Sequence, residues 1–138
     1  MGVALGTTVG YRVRFEDKTS KQGQETKMTY VTDGMLVREA MTDPYLLSYN
    51  VIVLDEAHER SLQTDILFGI VKRAMEYRRN NHNHDDNRNY NLLKVVIMSA
   101  TLDITTFMNF FPQAVKIDIP GRTFPVQVLY AKDPQEVC

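Results

Sequence analysis

Two short aliphatic runs, each followed by a polar cluster, constrain the fold of this chain most strongly. Val51–Leu54 is continuous and rich in β-branched residues, which is typical of a parallel-sheet strand covered on both faces. Leu93–Met98 repeats the pattern, and between the two runs the apolar residues from Leu62 to Met75 recur at helical spacing. The order strand, helix, strand predicts a right-handed βαβ unit and therefore an α/β fold with a mostly parallel sheet.

The polar residues after these two runs form the candidate site. Ligands of such sheets gather at the carboxyl ends of the strands, where we expect Asp55-Glu56 to face Ser99-Ala100-Thr101. In many nucleotide hydrolases one carboxylate at a strand end holds hydrated Mg²⁺ and its neighbour activates a water molecule. Taken alone, however, an Asp-Glu pair is a weak signal, because strand ends are polar in any protein.

The residues before the first run predict a long-looped hairpin and a short helix. Residues 9–15 and 27–31 alternate between apolar and polar side chains, as the two strands of such a hairpin would. On the first strand, Arg12 and Arg14 fall on the solvated face. Asp33 is expected to cap a helix over Met35–Met41.

The second half of the chain contains further predicted elements. Residues 80–91 form a polar loop, and the run from His82 to Asp86 is a solvated segment rather than a metal site, since it lacks regular ligand spacing. Asp103 is expected to cap a short helix that reaches Phe110. Strands are expected near residues 115–119 and, by alternation, over residues 124–130.

Composition limits the classes of function. Apolar residues make up 43% of the 138-residue chain, enough for one globular core. Sixteen basic and seventeen acidic residues leave no general electrostatic attraction for nucleic acid, so RNA would have to bind through amides, hydroxyls and a few local cations. The single cysteine, Cys138, excludes an intramolecular disulfide and suits a reducing compartment. No apolar run is long enough to span a bilayer.

Several segments together resemble a known family. The segment Asp55-Glu56-Ala57-His58-Glu59-Arg60-Ser61, with Thr64-Asp65-Ile66-Leu67 behind it, resembles the signature segment of the DEAH-box RNA helicases. Four further segments are similar to family motifs and follow in the family's order. Val9–Asp17 is similar to the strand before the RNA-contacting motif, and Thr32–Glu39 to that motif itself. Met98–Asp103 is similar to the coupling motif, and Pro120–Val126 to the exit from the first motor domain. These matches span nearly the whole chain.

The resemblance implies roles for individual residues. Asp55 and Glu56 would be the metal and catalytic carboxylates, with Asp55 holding Mg²⁺ and Glu56 activating the water that attacks the γ-phosphate of ATP. His58 would contact the coupling motif and the nucleotide side of the cleft. The coupling residues would be Ser99, Ala100 and Thr101, whereas Thr32, Asp33 and Gly34 would lie along the RNA backbone.

The resemblance also implies an architecture and a cellular setting. Residues 1–119 would be part of a RecA-like first motor domain, with a three-layer, mostly parallel sheet that is incomplete at its N-terminal side. Residues 120–138 would form an exit strand and the start of the connection to a second motor domain. The intact parent would use ATP and Mg²⁺, bind RNA and accessory proteins of ribonucleoprotein complexes, and reside in the nucleus or nucleolus, with the cytoplasm as the alternative. No membrane and no disulfide-linked partner are expected.

One departure from the family leaves a second interpretation open. The chain contains no Gly-x-x-x-x-Gly-Lys-Ser/Thr loop, whose backbone amides and lysine cradle the phosphates of ATP. The alternative to an inactive fragment of a helicase is a non-catalytic truncated product that binds RNA or protein weakly. A metal-dependent hydrolase of another type would be supported only by the carboxylates and histidines.

The missing loop predicts that the purified chain hydrolyses no ATP, because most of the electrostatic stabilisation of phosphoryl transfer is lost without it. We expect phosphate release with ATP, Mg²⁺ and single-stranded RNA to equal the protein-free background. Turnover that RNA stimulates and that Glu56→Gln abolishes would contradict this prediction.

Overall fold

A computed structural model describes residues 2–20, 26–81, 91–101, 103–121 and 124–128 of the chain. These residues form an α/β domain with three α-helices and two small sheets. The elements, in chain order, are β1 Val9–Val13, β2 Glu16–Lys18, β3 Met28–Val31, α1 Asp33–Thr42, β4 Val51–Leu54, α2 Leu62–Asn81, β5 Lys94–Ile97 and α3 Ile104–Phe110. The α/β class expected from the sequence is therefore confirmed. Among the described helices, none is both long and apolar enough to cross a bilayer.

The first sheet has the order β2-β1-β3 and corrects the predicted hairpin. Strand β3 pairs with β1 in parallel, so the two cannot be arms of one hairpin. The antiparallel partner of β1 is β2, which begins three residues after β1 ends and contains no apolar residue that could have predicted it. Gly10 permits this pairing, because a Cβ at that position would lie 2.4 Å from the Lys18 carbonyl oxygen.

Arg12 does not lie on a solvated face as predicted, whereas Arg14 is exposed. The Arg12 guanidinium is half-buried and donates a hydrogen bond to the Glu39 carboxylate of α1, to which the Tyr49 hydroxyl also donates. The pKa of Tyr49 is raised to about 12, mainly by burial and next by the hydrogen bond to Glu39. The phenol therefore remains a neutral donor. Period-two alternation alone cannot show which face of β1 meets α1. Phe15, which the alternation over residues 9–15 places on the face opposite Arg12 and Arg14, is 91% exposed.

The second sheet consists of β4 and β5, which pair in parallel with α2 between them in the chain, as the βαβ pattern predicts. The prediction that β4 is covered on both faces is wrong for the described residues. Ile52 and Leu54 are buried, whereas Val51 and Val53 are 51% and 52% exposed. The reason is that α1, α2 and α3 all contribute to one core that contains Ile52 and Leu54, and no described element covers the opposite face.

Of the two helix caps predicted from the sequence, one is confirmed. Asp103 caps α3 as predicted, because its carboxylate accepts hydrogen bonds from the amides of Thr105 and Thr106. For α1 the N-cap is Thr32 rather than Asp33, which is the first helical residue.

Two strands are expected from the sequence, near residues 115–119 and over residues 124–130. Residues 115–119 and 124–128 form no strand, and residues 129–130 lie outside the described part. A strand requires a partner as well as an alternating pattern, and no described strand pairs with these residues. The polar loop of residues 80–91 also falls largely outside the described residues, apart from the end of α2 and Asn91.

Arg78 connects the end of α2 to the surrounding loops. Its side chain is 1% exposed and donates to the carbonyl oxygens of Leu46 at 2.9 Å, Tyr49 at 2.7 Å and Asn91 at 2.7 Å. Desolvation lowers the pKa of this guanidinium, while the charge of Asp43 opposes the shift. One buried side chain therefore joins α2 to the segments that lead into β4 and β5.

We expect Arg78→Met to destabilise the fold by about 2–4 kcal/mol, because three carbonyl groups, that of Leu46 buried and the other two partly buried, lose their donor. Urea unfolding followed by circular dichroism measures the change. The matched control is Arg79→Met, since Arg79 is exposed and donates a hydrogen bond to the exposed Gln113 side chain. We expect that variant to change the free energy of unfolding by less than about 0.5 kcal/mol. Equal effects of the two substitutions would contradict the assigned role of Arg78.

Candidate functional site

The carboxyl ends of β4 and β5 lie side by side. Val51 to Leu54 pair in register with Lys94 to Ile97, so both strands end at the same edge. The pairing continues beyond the strands, with the Met98 amide donating to the Leu54 carbonyl at 2.8 Å and the Ala57 amide donating to the Met98 carbonyl at 3.0 Å. The expected juxtaposition of Asp55-Glu56 with the segment after Met98 is therefore confirmed at the level of the backbone.

The two carboxylates stand on a constrained backbone. Asp55 Oδ1 accepts a hydrogen bond from the Glu56 amide at 2.9 Å, and both residues are exposed. Glu56 has a φ of 51°, in the left-handed region that residues other than glycine seldom occupy. Such a conformation costs on the order of 1–3 kcal/mol and persists only where the surrounding structure holds it, as at many active sites. The strained position coincides with the residue predicted to activate water.

His58 lies beside Glu56, within the 3₁₀ turn Ala57–Glu59. Its Nδ1 atom is 3.4 Å from Glu56 Oε2, and its side chain is 31% exposed. No side-chain hydrogen bond between His58 and the coupling residues is present in the described part of the chain. The contact of His58 with the coupling motif thus stays a prediction, and the observed connection between the two segments is the hydrogen bond from Ala57 to Met98.

The coupling residues form a local turn. Ser99 Oγ donates to the Thr101 carbonyl oxygen at 3.0 Å, which bends the chain just beyond β5. Ala100 and Thr101 are exposed, and Ser99 is partly buried. This segment is therefore held at the sheet edge with accessible polar groups, next to the segment that contains Asp55 and Glu56.

The donor set at this edge suits a hard divalent cation only in part. Asp55 and Glu56 offer carboxylate oxygens, the ligands that Mg²⁺ prefers, and Mg²⁺ normally retains several water molecules. Over the described ranges, no cluster of three or more histidine, cysteine, aspartate or glutamate side chains could enclose a metal. The arrangement therefore fits a metal that shares its coordination with water and bound phosphate, and does not fit a cage made only of protein ligands.

The segment from Asp55 to Arg60 is anchored at its far end. Arg60 also has a left-handed backbone, with a φ of 49°, and its guanidinium forms a bidentate pair with Asp65 in the first turn of α2. The distances are 2.6 Å from Nε to Oδ1 and 3.0 Å from Nη2 to Oδ2. This pairing, chiefly its hydrogen bonds, lowers the pKa of the Asp65 carboxyl.

The three residues of the predicted RNA segment have different surroundings. Thr32 is exposed and its side chain makes no capping hydrogen bond. Gly34 is exposed, with open space where a Cβ would stand. Asp33, by contrast, accepts a 2.5 Å hydrogen bond from the Thr64 hydroxyl of α2. Sequence reasoning placed Thr64 in the stretch behind the Asp55–Ser61 segment and missed its contact with Asp33. Ser61-x-x-Thr64 has the spacing of a helix cap and marks the start of α2.

No model of a known protein family matches this chain. The geometry of the sheet edge and the motifs of the sequence are therefore the grounds on which a function can be proposed.

We expect Arg60→Gln to raise the pKa of the Asp65 carboxyl toward its ordinary value, because the bidentate pair favours the charged form. A carboxyl-detected NMR pH titration measures this shift. Asp103 serves as an internal control, since its lowered pKa comes first from Thr106 and only last from Arg60. An Asp65 titration that is the same in both proteins would contradict the ion pair. With an intact pair, its stabilising contribution is present at neutral pH and is lost as the pH falls through the lowered pKa of Asp65.

Proposed function

We propose that this chain is part of the first motor domain of an ATP-dependent RNA helicase of the DEAH-box type. The observation that supports this best is the adjacency of two parallel strand ends, one followed by Asp55-Glu56 and the other by Ser99-Ala100-Thr101. A polar strand end would be unremarkable by itself. Two such ends at one edge, with the residues of a catalytic and a coupling motif, favour a nucleotide-driven motor.

Asp55 and Glu56 divide the work at the cleavage site in this proposal. Mg²⁺, when bound, would neutralise charge on the phosphates of ATP. The carboxylate of Asp55 would hold the ion through water, while one of its oxygens stays bonded to the Glu56 amide. The exposed Glu56 carboxylate would orient a water molecule and accept its proton, and His58, 3.4 Å away, would steady that carboxylate.

Coupling would begin at the backbone bonds between the two strand ends. A shift of the Asp55–Arg60 segment moves Ala57, whose amide is bonded to the Met98 carbonyl. Met98 directly precedes Ser99, so the displacement reaches the turn that Ser99 and Thr101 form. The nucleotide state would thus be transmitted without any side-chain contact between the two motifs.

RNA would bind at the N-terminal end of α1. The first amides of a helix have no intrahelical partner and attract phosphate oxygens. Thr32 contributes an exposed hydroxyl, and Gly34 leaves the backbone open to close approach. These contacts involve the phosphate backbone rather than base edges, which suits a chain with a net charge of −1.

The catalytic part of this proposal applies to a protein that also supplies a phosphate-binding loop, which this chain lacks. For the chain alone, weak binding of RNA or protein is the second candidate function. Protein binding is favoured by exposed apolar residues on the face of the β4–β5 sheet that no described element covers. These residues are Val51, Val53, Val96 and Met98.

We expect Gly34→Leu to weaken binding of a single-stranded RNA by about tenfold or more, because the added side chain blocks the approach of phosphates to the first turn of α1. Fluorescence anisotropy with a labelled oligonucleotide measures the affinity. The matched control is Gly69→Leu, since Gly69 is also helical, exposed and surrounded by open space. Equal affinity of the Gly34→Leu variant and the wild-type chain, or no RNA binding by the wild type, would overturn the RNA part of the proposal.

A further inference from the structure

We propose that Thr64 is a positioning residue that fixes the RNA segment Thr32–Gly34 to the helix that follows the Asp55–Arg60 segment. The inference rests on the proposed function, because it assigns a means by which RNA binding depends on the water-activating segment. It concerns a hydroxyl in the first turn of α2, to which the resemblance assigns no role.

Three side chains form a directional chain of hydrogen bonds. The Thr64 hydroxyl lies 2.5 Å from Asp33 Oδ2 and 2.7 Å from Ser61 Oγ. A hydroxyl has one hydrogen, and only the carboxylate cannot donate, so Thr64 donates to Asp33 and accepts from Ser61. The Ser61 hydroxyl also accepts from the Thr64 amide at 3.1 Å, which caps α2. Thr64 is 5% exposed, so water cannot easily replace these partners.

The two ends of this chain of hydrogen bonds lie in different motifs. Ser61 directly follows Arg60, whose left-handed backbone ends the segment that begins at Asp55. Asp33 lies between Thr32 and Gly34, the two residues expected to meet RNA. A displacement at Ser61 is therefore transmitted through Thr64 to the backbone of the RNA segment, over a path separate from the one between Ala57 and Met98.

The charge of Asp33 gives the contact a second effect. A carboxylate beside RNA phosphates would repel them, whereas the observed hydrogen bond holds Asp33 Oδ2 against α2. Without the Thr64 hydroxyl, the carboxylate is free to turn toward the phosphates, and the first turn of α1 loses its tie. Both effects weaken RNA binding, and both act through Asp33.

The test measures RNA affinity of the 138-residue chain by fluorescence anisotropy, with every variant shown by circular dichroism to be folded. We expect Thr64→Val, which keeps the shape and removes the hydroxyl, to lower the affinity by about threefold to tenfold. Thr64→Ser should bind RNA as the wild type does. Thr106→Val is the matched control, because it removes the same kind of bond, from Thr106 to Asp103 at 2.5 Å, on α3.

A double-mutant comparison separates positioning from packing. If Thr64 acts through Asp33, Thr64→Val has no further effect in the Asp33→Ala background, whereas loss of packing alone would persist there. An effect of the same size in both backgrounds overturns the inference, as does a Thr64→Val variant with wild-type affinity. Absence of RNA binding by the wild type instead refutes the RNA part of the proposed function, and this inference with it.

Discussion

The parallel hydrogen bonding between β4 and β5 is the constraint on which the candidate site depends. It brings together segments separated by about forty residues and continues past both strands through Leu54, Ala57 and Met98. Because the two strands run in the same direction, their polar ends must meet at one edge. Helix α2 makes this possible, since its apolar residues Leu67 and Val71 are fully buried in the same core as Ile52 and Leu54.

Polar side chains, rather than apolar contacts alone, hold the segments of the candidate site in place. Arg78 bonds three carbonyl groups and so positions the entrances to β4 and β5. Thr64 binds Asp33 across the α1–α2 interface, and Arg12 binds Glu39 between the first sheet and α1. Each contact is directional, so it specifies an orientation that packing alone would leave less defined. The loops between these strands and helices are therefore held in defined positions.

The segment from Asp55 to Arg60 combines local strain with anchors at both ends. Left-handed backbones at Glu56 and Arg60 flank the 3₁₀ turn, and these conformations persist only because the surroundings hold them. The pairing of Ala57 with Met98 and of Arg60 with Asp65 supplies that support. A segment held in this way presents its two carboxylates in a defined arrangement.

The sequence by itself determined the βαβ unit, the shared edge for Asp55-Glu56 and Ser99-Ala100-Thr101, and the cap at Asp103, because periodicity and strand-end polarity are local properties. Only the tertiary structure showed that β3 runs parallel to β1, that Arg12 faces α1, and that no element among the described residues covers one side of β4. It also showed that Arg78 is buried and that Thr64 binds Asp33. These features depend on which distant residues become neighbours, and a spacing pattern within one segment contains no information about the partner across the fold.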